Sequence, residues 1–151
     1  MKKFIIAFAG SFILVSTAAF AGGGGKKSKG GDNPAEATFQ KTFQGASDVK
    51  WAEDKETINA SFTLSNSRVI AYFNYEGELL GTARSVLFDQ LPLAVIREVN
   101  DRYGSAPVYD ITEYTCAGET FYHMVVETPT KQVKVKVTSL GDISVLGKTK
   151  R

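Results

Sequence analysis

The chain has 151 residues, with 18 Lys and Arg against 16 Asp and Glu and only one histidine, one cysteine and one tryptophan. This near-neutral balance gives nucleic-acid binding little support, since a phosphate backbone demands a clustered positive surface, and a lone cysteine, Cys116, rules out an internal disulfide. The length accommodates one domain with a real core, at a size where roughly two thirds of the unfolded surface becomes buried.

In chain order, Lys2 and Lys3 form a positive n-region, Phe4 to Val15 is almost entirely apolar, and Ala19-Phe20-Ala21 has the small-x-small pattern that signal peptidase accepts. Residues 1–21 are expected to be a secretory signal peptide cut after Ala21, which makes the protein periplasmic or secreted. The apolar run is shorter than the ~20 residues of a spanning helix, and no cysteine lies near the cut to carry a lipid. Residues 22–33 have no apolar side chain to bury and read as a disordered Gly/Lys-rich leader. Its three lysines could favour an anionic surface or simply act as a solubilising tail. Without the signal peptide the charges balance at 16 each, and from Pro34 onward they stand at 13 basic to 15 acidic.

Residues 34–151 read as a single α+β domain. Asn33-Pro34-Ala35-Glu36 opens a short helix with an N-cap, a first-turn proline and a capping-box acid, and Ala35, Phe39 and Phe43 form its inward face. Four strand-like segments follow, Val49–Glu53, Thr57–Leu64, Arg68–Tyr75 and Glu78–Phe88, joined by turns rich in Asp, Asn, Ser and Gly, as in an antiparallel meander. A second helix from about Leu91 to Tyr103 turns Val95, Ile96, Val99 and Tyr103 inward and stops at Gly104 and Pro107. Strands at Val108–Cys116, Thr120–Thr128, Lys131–Leu140 and Ile143–Leu146 complete the chain.

With Val69 set on Val133 the halves align without a gap: Phe62 on Val126, Ile58 on Tyr122, Ala71 and Phe73 on Val135 and Val137, and Gly77-Glu78-Leu79 on Gly141-Asp142-Ile143. This reads as a tandem duplication of an αββββ unit, with repeats at about 34–88 and 89–151. Phe43-x-x-Ala46-x-x-Val49-x-Trp51, Ala71-Tyr72-Phe73-Asn74-x-x-Gly77 and Leu91-Pro92-x-x-Val95 ahead of a helix ending in Tyr103 resemble the beta-lactamase-inhibitor-like, PepSY-like exported proteins of Bacteroidota. The likeness covers most of residues 36–147 and departs at Gln44-Gly45, where a proline often precedes the alanine, and at Asn74, where an aspartate is usual. It implies helices on one side of an antiparallel sheet and is almost silent about activity. Inhibition depends on interface hot spots that are not recognisable here, so no tight beta-lactamase inhibition is expected.

No motif for a nucleotide, calcium or other cofactor stands out, and none is expected. The acids Glu53/Asp54/Glu56 and Glu76/Glu78 lie beside turns, where solvation alone collects them. A hydrolase would have to be built around His123, and a Cys116–His123 pair would need the two to be cross-strand neighbours. Opposite in parity to the core positions lie Ile70, Tyr72, Arg84, Phe121, His123, Lys134 and Lys136. An antiparallel sheet with helices on one side leaves its other face to water, so these residues are the candidate partner-binding face of a non-catalytic envelope module for protein or peptide. The alternatives are cross-strand pairs that only stabilise the sheet, in a structural protein without a specific ligand.

Overall fold

The computed structural model describes residues 33–150; the expected signal peptide and all of the leader except Asn33 lie outside the described residues. Helix α1 spans Pro34–Thr42 and α2 spans Leu93–Tyr103. The strands are β1 Ser47–Glu53, β2 Ile58–Leu64, β3 Ser67–Phe73, β4 Leu79–Ser85, β5 Val108–Cys116, β6 Glu119–Glu127, β7 Lys131–Thr138 and β8 Ile143–Lys150. Every pairing is antiparallel and joins consecutive strands, giving one eight-stranded sheet in the order β1 to β8. The α+β meander read from the sequence is thus the observed architecture. Its boundaries differ at β4, which stops at Ser85 before a single 3-10 turn at Phe88–Gln90, and at β8, which continues to Lys150.

Local chemistry accounts for the helix ends. The Asn33 side-chain oxygen accepts the Ala35 amide at 3.0 Å, satisfying one free donor, and Pro34 occupies the first turn. Helix α2 ends at Gly104, whose φ of 62° and N–H hydrogen bond to the Asn100 carbonyl close the last turn.

Cross-strand partners share a face, so the register sorts the side chains. Val69, Arg84, Glu113, Tyr122 and Val137 are successive partners across β3 to β7 and define one side. Ile70, Ala83, Tyr114, Phe121 and Thr138 define the other. On the first side lie two apolar clusters. Ala35 and Phe39 of α1 belong to one with Ile58, Ala60, Phe62, Val69, Ala71 and Phe73, while Val95 and Val99 of α2 belong to the other with Tyr122, Met124, Val126, Val133, Val135 and Val137. Edge-on aromatic contacts fasten α1, the Phe39 ring lying 4.9 Å from Phe62 and 5.3 Å from Trp51.

A polar seam separates the two clusters on that side. Thr82, Arg84, Glu113, Thr115 and Thr120 are neighbours across β4 to β6, Arg84 forks onto Glu113 at 2.6 and 3.2 Å, and the Thr115 and Thr120 hydroxyls lie 3.3 Å apart. The sheet is continuous but its core is in two parts.

The expected face of Arg84 needs correction. Opposite Tyr72 and Phe73 the β4 register shifts, so that Phe73 pairs with Leu79 and Tyr72 with Gly81. Leu80 is the extra residue of a bulge, and one extra residue reverses the facing of everything after it. Arg84 therefore joins the helix side beside Glu113, and Ala83 takes the other.

The open face of the sheet

The side away from the helices is built from alternate residues of successive strands. β3 contributes Ile70 and Tyr72, β4 the small residues Gly81 and Ala83, β5 Tyr114 and Cys116, β6 Phe121, His123 and Val125, and β7 Lys134 and Lys136. The structure brings six of the seven expected residues to one face, Arg84 being the exception.

Its centre is an aromatic cluster on the β5–β6 hairpin. Tyr114 and Phe121 are directly opposed across the two strands, their rings stacked with centroids 5.3 Å apart and planes 12° from parallel. The His123 ring lies 4.9 Å from Tyr114 and 5.3 Å from Phe121. From β7, the Lys136 ammonium stands 4.1 Å from the Phe121 centroid, a cation held against the negative face of a ring. Ile70, Tyr72, Tyr114, Phe121, His123 and Lys136 are all half-buried, and Lys134 is exposed.

This surrounding shifts the titrating groups. Burial, and then the charge of Lys136, lowers the His123 pKa and keeps its imidazole neutral near neutral pH. Burial, with Tyr72 close enough to add to it, pushes the Tyr114 phenol up to about 12. Burial also raises Tyr72. All three groups keep their uncharged forms near neutral pH, and the charged side chain in contact with the rings is Lys136.

Tyr114 was not among the expected residues, although a signal existed. The Ala117-Gly118 turn leaves Cys116 opposite Glu119 and so forces Tyr114 opposite Phe121. The same register separates the proposed thiol and imidazole: Cys116 pairs with Glu119 while His123 pairs with Thr112. Glu119 and His123 are four residues apart on one strand, roughly 13 Å at strand rise, so Cys116 and His123 are not cross-strand neighbours. Among the described residues no group of three or more His, Cys, Asp or Glu is placed to hold a metal ion, and no helix is long and apolar enough to cross a membrane.

No family model and no curated protein matches the chain by sequence. Solved structures do match. A BLIP-like protein of Bacteroides fragilis superposes with a TM-score of 0.67 over 82% of this chain and 89% of its own, at 18% identity. A DUF2874 family protein of Bacteroides ovatus gives 0.68 over 82% and 89%, at 19% identity. A protein ascribed to the periplasm of Bacteroides eggerthii gives 0.68 over 81% and 90%, at 16% identity. The fold is thus the one shared by the BLIP-like and DUF2874 proteins of Bacteroides, and the beta-lactamase-inhibitor-like resemblance seen in the sequence holds at the level of fold.

Proposed function

We propose that the protein is an exported, non-catalytic binding module of the cell envelope that holds a protein or peptide partner on the open face of its sheet. The observation that carries this reading is the Tyr114–Phe121–His123 cluster with Lys136, on a side of the sheet that neither helix covers. Tyrosine and phenylalanine in partly buried positions are residue types enriched at interface cores, and solubility alone requires neither. Export is supported by the signal-like residues 1–21 and by the similar Bacteroides eggerthii protein ascribed to the periplasm. Mass spectrometry should find a mature chain starting at Gly22 outside the cytoplasm; full-length protein with Met1 in the cytosol would refute it.

A duplicated origin fits the register. Phe62 pairs with Val69 as Val126 pairs with Val133, each residue 64 positions on. The Asn74–Glu78 turn and the Thr138–Asp142 turn share the same backbone bonds, Asn74 N–H to the Glu78 carbonyl and Thr138 N–H to the Asp142 carbonyl, both 3.0 Å. The halves differ in where their bulges fall and in the length of one hairpin. Between the pairs Glu53–Ile58 and Glu113–Tyr122, the first half has residues 54–57 and the second 114–121. Those four additional residues lengthen the hairpin that bears Tyr114 and Phe121, so the aromatic cluster is a specialisation of the second repeat.

The test is capture from envelope extract on the processed chain, compared with a Tyr114→Ala/Phe121→Ala variant of matched fold. A partner retained by the first and lost by the second supports the reading. Equal capture by both would remove the open face from the function.

A further inference from the structure

From the distribution of charge on the sheet we infer that the partner of the open face presents an acidic polypeptide segment, its carboxylates meeting Lys134 and Lys136 and its apolar side chains packing on Phe121 and Tyr114. The inference rests on the reading of that face as a binding surface and adds the partner's chemistry.

From Pro34 onward acids outnumber bases, 15 to 13, yet the open face runs the other way. The ladders put Lys50, Arg68, Lys134 and Lys136 there. The ladders place Glu119 and Glu127 on that side, at the two ends of β6, and Asp142 approaches it from the β7–β8 turn, where the Thr138 hydroxyl donates to it at 3.1 Å, so four bases stand against three acids. Asp48 and Asp110 fall in bulges outside the paired register. Glu113, the acid at the middle of β5, faces the helix side and is engaged by Arg84.

Geometry favours a carboxylate over a bare counter-charge. Lys136 is paired across the ladder with His123 and held 4.1 Å from the Phe121 centroid, so its ammonium is positioned before any partner arrives and less side-chain freedom is lost on binding. The Tyr114–Phe121 pair, on the strands beside Lys136, adds half-buried ring carbon next to the ammonium, against which the aliphatic stem of a glutamate or its neighbour can pack. A basic partner would meet Lys134 and Lys136 as like charges, which opposes docking.

Three short peptides of one Leu-containing pattern test this on the isotopically labelled processed chain, one with Glu, one with Gln and one with Lys at the alternating positions, followed by backbone amide shifts. The Glu peptide should perturb Tyr114, Phe121, His123 and Lys136 and weaken with salt, with the Gln peptide about tenfold weaker or more. In the Lys134→Glu/Lys136→Glu variant, checked for an unchanged melt, the preference should pass to the Lys peptide. Equal binding of the Glu and Gln peptides on the open face, or unchanged preference in the charge-reversed variant, overturns the acidic partner and leaves the open face as the binding surface. Shifts confined to the α1 and α2 side, or no binding of any peptide, overturn the inference, and the former also removes the reading on which it rests.

Discussion

Gly77 lies directly beneath Pro34: a Cβ built on Gly77 would stand 2.5 Å from the Pro34 carbonyl carbon. This close approach lets the β3–β4 turn support the first turn of α1, and Thr38 ties the two with a 2.7 Å hydrogen bond to the Gly77 carbonyl. The φ of 84° adds a second reason for glycine. Gly77→Ala should therefore cost about 3 kcal/mol, from backbone strain and overlap together. Gly141, whose built Cβ would meet the Ala94 carbonyl oxygen at 3.2 Å, should show a smaller loss. Chemical denaturation of both variants checks the order; equal losses would mean that φ alone, and not contact with the helix, sets the cost.

The two faces of the sheet should separate in thermal melts. Phe62 and Phe73 are fully buried, and truncation of either to Ala should cost roughly 3–5 kcal/mol. Tyr72 and Phe121 are half-buried on the open side, and the same truncation should cost about 1–2 kcal/mol. If Tyr72→Ala or Phe121→Ala proves as damaging as Phe73→Ala, a second layer or a partner copy covers that side.

His123 and Tyr114 give opposite pH signatures. The folded-state pKa of His123 is lowered, so the unfolded chain binds the extra proton first, and stability falls as pH drops below the ordinary histidine range, about 6.5. His123→Gln should flatten the acid limb by that amount. The phenol of Tyr114 is raised to about 12, so its contribution is complete below pH 10 or so and is lost as pH rises toward 12. Tyrosinate absorbance should show the shielded phenols Tyr72, Tyr114 and Tyr122 lagging the others, and Tyr114→Phe should remove the component that titrates near pH 12.

The Arg84–Glu113 pair spans the seam between the two apolar clusters, with side chains 49% and 18% exposed. Water screens an ion pair in that setting, so Arg84→Met should change stability by no more than about 1 kcal/mol. Glu113→Gln should behave alike. A loss several times larger in either variant would show that the seam, and not the clusters, holds the halves together.

Much of the fold was legible because apolar alternation is strong where the helices press on the sheet: Ile58, Ala60 and Phe62, or Val133, Val135 and Val137, leave little choice of face. Parity counting failed only where the ladder slips. Nothing in Leu79-Leu80-Gly81 announces that Leu80 is the extra residue, because a bulge is settled by the neighbouring strand, and parity alone therefore puts Arg84 on the wrong face. The significance of Tyr114 lies in the residue opposite it, Phe121, which a strand read by itself does not display.

The meander has a consequence for how the chain folds and how it can misassemble. Each pairing links neighbours in sequence, so most loop-closure costs are small and formation should be fast for a β-rich protein. The β4–β5 ladder is the exception, since residues 86–107 intervene between its strands. Each side of that ladder already has a helix and an apolar cluster of its own. A shortened 86–92 segment would keep β5 from folding back onto β4 of the same chain, and two chains could then exchange halves across that one ladder, giving a dimer in which every hydrogen bond of the monomer is kept.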